Sequence, residues 1–279
     1  MSLERKYNAL QAIVSDLGKV LVAYSGGVDS TLLLKVAAET LGTDNVLACI
    51  SVGVVQPKGQ YEGARKLAKE VGVELLAVEP NDLADPKFTA NTPQRCFHCK
   101  RNICTALLEL AAEKGLDHVI FGTNADDTSD FRPGNRALES FGIRSPLAEA
   151  GLTKSDIREL SRQFGLSTAE MPANPCLVSR LEYHLPITEE RLHQIDEAER
   201  LLRRLGFKEC RVRHHDTIAR IEVRPEDVAK IVAEPVRTKV IDTLKSLGLG
   251  FVTIDLQGFR SGSLNESLSE EQKQPDPGE

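Results

Sequence analysis

The chain has 279 residues, 41% hydrophobic and 27% charged, with a net charge of −6. That length suits about two domains and that composition an ordinary globular protein. No apolar run approaches the roughly 18 residues of a membrane-spanning helix, and the acidic balance gives no general pull toward nucleic acid. The N-terminus, MSLERKYNALQAIVSDLG, is charged and amphipathic without a long apolar core, so it does not read as a secretory signal. The expected compartment is the cytoplasm, where thiols stay reduced and a cysteine cluster points to metal or catalysis before disulfides.

In chain order, residues 3–17 form an amphipathic helix with Leu3, Tyr7, Leu10 and Val14 on one face. KVLVAY (19–24) is a short, nearly continuous apolar run, as in a strand buried on both faces. SGGVDS follows it and opens a helix. NVLACISV (45–52) and VELLAVEP (73–80) read as strands around the helix 62–72, and DHVIFGTN (117–124) as a fourth strand after a helix over 96–114. Strands alternating with helices predict an α/β fold, a parallel sheet with helices on both faces. Ligands in such sheets bind beyond the carboxyl ends of the strands, where SGGVDS and TNADDTSD both fall. Another helix over 153–166 precedes MPANPCLVSRLEYHLP, a proline-rich connector. Then come a helix (189–205), a hairpin (ECRVRHH, ARIEV), helices within 226–247 and a last strand, GFVTIDLQG. The expected division is 1–185, a small α+β domain over 186–266, and a polar, disordered tail over 267–279.

Three of the six cysteines lie in TPQRCFHCKRNIC, which holds a single Cys-x-x-Cys pair; the chain has no second one. In a helix, Cys96 and Cys99 lie about 60° apart and share a face. Cys104 falls with Leu107, Leu108 and Ala111 and reads as core, as does Cys49 inside its strand. Cys210 is given no role. Spacing alone leaves iron–sulfur, zinc (with His98 as a further ligand) and plain reduced thiols open.

Ser25-Gly26-Gly27-Val28-Asp29-Ser30 sits between a buried strand and a helix. Two glycines let a phosphate approach the backbone, and the helix start offers free N–H groups. The plainer alternative is a glycine turn capped by Asp29 or Ser30. The hexapeptide and its context resemble the PP-loop ATP pyrophosphatases, of the adenine nucleotide alpha-hydrolase-like fold, which cleave ATP between the α and β phosphates and transfer AMP. The Walker pattern GxxxxGK[ST] is absent. GTNADDTSDFRPG (122–134), PCLVSR (175–180), RVRHHDTIARIE (211–222) and LQGFRSGSLNE (256–266) narrow the resemblance, over about residues 2–266, to the LarE family.

That resemblance implies an ATP-dependent sulfurtransferase for nickel-pincer nucleotide cofactor synthesis. Its substrate would be pyridinium-3,5-biscarboxylic acid mononucleotide, with a ring carboxylate adenylylated and converted to a thiocarboxylate. It implies ATP contacts from Ser25, Gly26, Gly27, Asp29, Ser30, Thr123 and Asn124, with Asp29 and Cys176 in catalysis. It implies substrate contacts from Ser179, Arg180, Arg211, Arg213, Glu199 and Glu222. On bare sequence Glu199 is an exposed helix carboxylate, and the two arginines are a solvated strand face. Asp127 and Asp130 are candidate Mg²⁺ ligands, or, with Asp126, members of a turn rich in Asx caps. Family members either sacrifice the cysteine at position 176 or bind a [4Fe–4S] cluster with added cysteines. Cys96, Cys99 and Cys176 resemble the second kind, with zinc as the rival metal and sulfide or a protein cysteine as sulfur donor. The family also implies a homo-oligomer. Competing readings are a PP-loop tRNA thiolation enzyme and a non-catalytic nucleotide- or metal-binding protein.

Overall fold

The computed structural model describes residues 1–128, 133–172, 175–260 and 262–272. Its elements are α1 (Leu3–Ser15), β1 (Val20–Ala23), α2 (Val28–Leu41), β2 (Val46–Ser51), α3 (Gln60–Val71), β3 (Leu75–Val78), α4 (Pro86–Thr89), α5 (Arg95–Lys114), β4 (His118–Phe121), α6 (Pro133–Ser140), α7 (Pro146–Glu149) and α8 (Lys154–Gln163). They continue with α9 (Glu189–Arg204), β5 (Cys210–His215), β6 (Ile218–Val223), α10 (Val228–Val232), α11 (Val236–Ser246) and β7 (Phe251–Ile254).

The first four strands form one parallel sheet in the order β3-β2-β1-β4. Side chains alternate across it, as the two-residue period of a strand requires. Val20, Val22, Ala48 and Ile50 pack with α1, α2, α3 and α8. Leu21, Leu47 and Cys49 pack on the other face with Cys104, Leu107 and Ala111 of α5 and Leu138 of α6. Both faces are covered, so β1 has to be apolar throughout: Val20, Leu21 and Val22 are all fully buried. The chain leaves β1 toward β2 on one side, while β4 pairs on the other. The carboxyl ends of β1 and β4 therefore flank the point where the strand order reverses, the place where open α/β sheets bind ligands.

The chain resolves into two compact units: Met1–Gly53 with Lys58–Asp82 and Gln94–Asn174, and Val54–Pro57 with Leu83–Pro93 and Pro175–Glu279. In the second, β5 and β6 form the expected antiparallel hairpin, and β7 joins β6 in parallel. Its core is Ala198, Leu201 and Leu202 of α9 against Cys210, Val212, Ile221 and Val223, with Val240 and Leu244 of α11. Its main stretch begins at Pro175, eleven residues before the start at 186 expected from sequence, and the unit includes two distant stretches. Backbone bonds account for that: the Leu177 N–H donates to the Val55 carbonyl at 2.8 Å, and the His184 N–H to the Asn91 carbonyl at 2.9 Å. Part of the tail expected to be disordered from 267 is ordered: Leu268 is an apolar residue only 8% exposed. Residues 273–279 lie outside the described residues.

Candidate functional site

In the first unit the site is a loop between β1 and α2. Gly26 has φ +74°, and a Cβ there would meet Ala64 Cβ at 3.1 Å, so the position needs glycine on both counts. The Ser25 N–H donates to Ser30 Oγ at 3.2 Å, the Gly27 N–H to Ser25 Oγ at 3.3 Å, and Ser30 Oγ to the Gly27 carbonyl at 3.2 Å. The hydroxyls thus knit the loop rather than cap the helix. Gly27 is the N-cap of α2 with no side-chain hydrogen bond, so the alternative of a turn capped by Asp29 or Ser30 does not hold. Gln60 Nε2 donates to the Ser25 carbonyl at 3.2 Å.

The second wall follows β4. Gly122 lies against the start of α2: a Cβ would sit 3.0 Å from Ser30 N and 3.2 Å from Asp29 C. Asn124 is buried at 1% exposure, and its Oδ1 accepts the Asp126 and Asp127 N–H groups at 2.9 and 3.3 Å, an Asx turn. Its Nδ2 donates to Asp29 Oδ1 at 3.4 Å. Asp127 Oδ2 accepts the Asn124 N–H at 3.1 Å, and Asp126 Oδ2 accepts the first N–H of α8, that of Lys154, at 2.8 Å. Both carboxylates shape the turn. Asp130 lies outside the described residues. The Thr123 carbonyl accepts the Ala148 N–H at 3.1 Å.

Lys154 is a site residue that the sequence reading does not name: its Nζ pairs with Asp29 Oδ2. A lysine at the first position of a helix opposes the helix dipole, and that misplacement is the signal in TKSD. Loop hydroxyls, the N–H groups at the start of α2 and the Lys154 ammonium together supply donors for phosphate oxygens beside one carboxylate.

Cys96 is exposed and Cys99 half-buried, both within the first two turns of α5, with Cys99 Sγ 3.8 Å from Asp82 Oδ2. His98, a candidate further zinc ligand, is buried at 2% exposure. Cys49, Cys104 and Cys210 are core residues, and burial pushes each thiol up to about 11. Cys96 and Cys99 therefore fit the two-thiol part of a metal or cluster site. Among the described residues no group of three or more His, Cys, Asp or Glu side chains is gathered as a metal site.

The second unit carries Cys176 and a charged network. Glu199, read from sequence as exposed, is fully buried, because its face of α9 packs on β5. Its carboxylate accepts Arg180 Nε at 2.8 Å and Nη2 at 3.2 Å, and Arg203 Nη2 at 2.5 Å. These guanidinium groups hold the Glu199 carboxyl below its ordinary value although burial alone would raise it. Arg180 is also fully buried, its bonds directed at protein atoms. Arg211 and Arg213 share a strand face, but it is not a solvated one. Arg213 is 5% exposed and donates to Glu222 Oε2 at 2.8 Å, the Ser179 carbonyl at 2.9 Å and Ser263 Oγ at 2.9 Å. Arg211 is half-buried, with its guanidinium 5.2 Å from the Phe259 ring centroid. Burial, then repulsion from Arg180, pushes it down to about 10, still a cation at neutral pH.

A parallel sheet with a glycine loop at its switch point defines a nucleotide-binding α/β protein, and a family model described as NAD synthase matches residues 3–125. The chain is 40% identical over 267 residues to an uncharacterized protein of Synechocystis, covering 96% of this chain and 99% of that one. It is 36% identical over 271 residues to the pyridinium-3,5-bisthiocarboxylic acid mononucleotide synthase of Lactiplantibacillus plantarum, covering 97% and 98%. To the tRNA-specific 2-thiouridylase of Carboxydothermus hydrogenoformans it is 29% identical, over 63% of this chain and 60% of that one. The chain belongs to the LarE family of PP-loop ATP-dependent sulfurtransferases.

Proposed function

We propose that this chain adenylylates a ring carboxylate of pyridinium-3,5-biscarboxylic acid mononucleotide and replaces one of its oxygens with sulfur. A carboxylate is a poor electrophile, and joining it to AMP gives it a leaving group. The observation that carries the reading is the loop at residues 25–30 with Asp29 held between Lys154 and Asn124. Ser25, Gly26, Gly27 and Ser30 would hold the leaving pyrophosphate, Thr123 and Asn124 would flank the nucleotide, and Asp29 would take the Mg²⁺. Asp127 is the weaker Mg²⁺ candidate, since it already serves its turn. In the second unit Arg211 would grip the substrate phosphate, with Ser179 beside it. Arg213 and Glu222 would hold that strand face in place.

For the sulfur, two readings stand. In one, Cys96, Cys99 and Cys176 hold a [4Fe–4S] cluster, or zinc in its place; the free, apolar-core positions of the other three cysteines leave these as the thiols able to serve. When bound, a cluster would supply an iron open to sulfide. In the other, Cys176 gives up its own sulfur. Six cysteines outside disulfides suit a reducing cytoplasm, and the family likeness implies a homo-oligomer, which light scattering would measure.

Pyrophosphate release with ATP and the mononucleotide tests the reading, with tRNA in a parallel arm. Release with the mononucleotide alone, lowered at least about a hundredfold in Asp29→Asn, is the expected result. Release driven by tRNA would favour the thiouridylase-like alternative, and wild-type release by Asp29→Asn would remove the loop from the chemistry. An iron count and visible spectrum on anaerobically purified protein decide the cluster.

A further inference from the structure

Among the described residues, two half-buried cations of the first unit, Lys100 and Arg136, have no carboxylate partner. Elsewhere in that unit Lys6, Arg144, Lys154 and Arg162 each pair with one. Lys100 and Arg136 lie over aromatic rings instead: Lys100 Nζ is 4.6 Å from the Phe121 ring centroid, and Arg136 Cζ is 5.1 Å from that of Phe97. A ring face attracts a cation without neutralising it. Arg136 Nη2 donates to Gln94 Oε1 at 3.2 Å, a neutral acceptor, while its Nε is buried without a hydrogen-bond partner. Withdrawing a charge from water is unfavourable unless an opposite charge meets it. Both side chains are therefore set for an anion that the chain itself does not supply.

The two cations are neighbours, and they border the nucleotide site. Phe97 and Lys100 are three residues apart on α5 and so share a face, with Cβ atoms about 5–6 Å apart. Arg136 of α6 covers the first of them. The start of α6 lies against the second: a Cβ on Gly134 would stand 3.6 Å from Lys100 Cε. Phe121, beneath Lys100, is the last residue of β4 and directly precedes Gly122, which lies against the start of α2. Asn135, next to Arg136, donates from Nδ2 to the Asp127 carbonyl at 3.0 Å, in the turn that Asn124 organises. Phe121 and Asn135 thus join the two cations to the second wall of the nucleotide site.

We propose that Lys100 and Arg136 bind the substrate carboxylate that is not being activated, and so select a biscarboxylate over a monocarboxylate. The inference rests on the reaction proposed above. The two carboxylates of that substrate sit at fixed positions on one planar ring, so anchoring one sets the direction of the other. A guanidinium fork matches the two oxygens of a carboxylate, and an ammonium adds a point charge. Together they offset the repulsion that an anionic ring acid meets on approaching a triphosphate. No bond is made or broken at these residues; they hold the ring while its other carboxylate reacts. A site built for a second carboxylate rejects the analogue that lacks it, because its cations are then left unpaired.

The test measures pyrophosphate release by the full chain with ATP, Mg²⁺ and either of two substrates: the biscarboxylate mononucleotide, or its analogue with a single ring carboxylate. Wild-type protein is expected to show the higher kcat/KM with the biscarboxylate. Arg136→Gln and Lys100→Met are each expected to lower that value about ten- to a hundredfold, chiefly through KM. They should leave the value for the monocarboxylate in place, so the preference shrinks. ATP affinity, read by calorimetry, should not change. A residue that only supported the fold would lower both substrates together. Lys100→Met keeps the side-chain stem and decides the matter if Arg136→Gln does not fold. Equal loss with both substrates, ATP weakened as much as the mononucleotide, variants that act like wild type, or a wild-type protein without preference would each overturn the inference while leaving the sulfurtransferase reading in place. A wild-type protein that releases no pyrophosphate with either mononucleotide would overturn both.

Discussion

Arg211 and Arg213 occupy alternate positions of one strand and answer to different physics. Arg211 is a half-buried cation crowded by Arg180, and an incoming anion would relieve that repulsion. Arg211→Ala is expected to weaken the mononucleotide by about 1.5–3 kcal/mol, roughly ten- to a hundredfold, with little effect on ATP. Calorimetric titration with each ligand checks it. Arg213 is a buried strut, and Arg213→Ala leaves the fully buried Glu222 without that partner. Its expected effect is a loss of stability of about 3–5 kcal/mol, read by urea denaturation, before any effect on binding. Sequence put both arginines on one face correctly. It could not show which of them is buried, because that depends on Ser263 and Glu222 arriving from elsewhere in the chain. Glu199 was misread for the same reason.

At the scale of elements, the contact between the end of β4 and the start of α2 sets the nucleotide loop. Gly122 lets the two backbones touch, and a methyl group there would stand 3.0–3.2 Å from Ser30 N, Ser30 Cα and Asp29 C. No flexible side chain can give way, so helix α2 must shift. Gly122→Ala is expected to cost about 1–3 kcal/mol of overpacking and to lower pyrophosphate release more than it lowers the melting temperature would suggest, since the loop moves with the helix. Parallel activity and melting measurements separate the two effects. The elements themselves were legible: β1, β2 and α5 begin and end within about one residue of the segments that mark them, and β4 stops three residues short of its expected end. Helix spacing alone sorted Cys104 into the core. The short helices α4, α6 and α7 were not legible, because one or two turns give too few residues for a period to show.

On the scale of the whole molecule, the chain forms two compact units, and the second draws on three stretches of chain. Asn91 ties one of them in. It is fully buried with φ +56°, and its Nδ2 donates to the Glu182 and Leu185 carbonyls at 2.7 and 2.6 Å. Asn91→Ala is expected to cost about 2–4 kcal/mol for two buried carbonyls left unmade, seen as a lower urea midpoint in the second unit. His214 makes the same unit sensitive to acid. Its Nε2–H donates to Gln194 Oε1 at 2.7 Å, a tautomer assigned by Gln194 Nε2 donating to the Leu247 carbonyl. Burial first, then the charge of Arg191, holds the imidazole down to about 4. The unfolded chain takes up this proton near pH 6.5, where the folded one refuses it. Stability is therefore full above about pH 6.5 and falls as pH drops toward 4, by up to about 1.4 kcal/mol per pH unit. His214→Gln should flatten that part of a stability–pH profile.

The sequence by itself determined the order and kind of the main elements and the nucleotide loop, because these rest on short-range patterns: apolar runs, helical spacing, glycines at a strand end; the family came from the resemblance of whole motifs such as PCLVSR and RVRHHDTIARIE. Only the tertiary structure decided that Lys154 meets Asp29, that Asp126 and Asp127 serve a turn, and that Arg213 and Glu199 are buried. Each of these depends on burial and on partners distant along the chain or on how a turn closes, and neither is written in the spacing of residues.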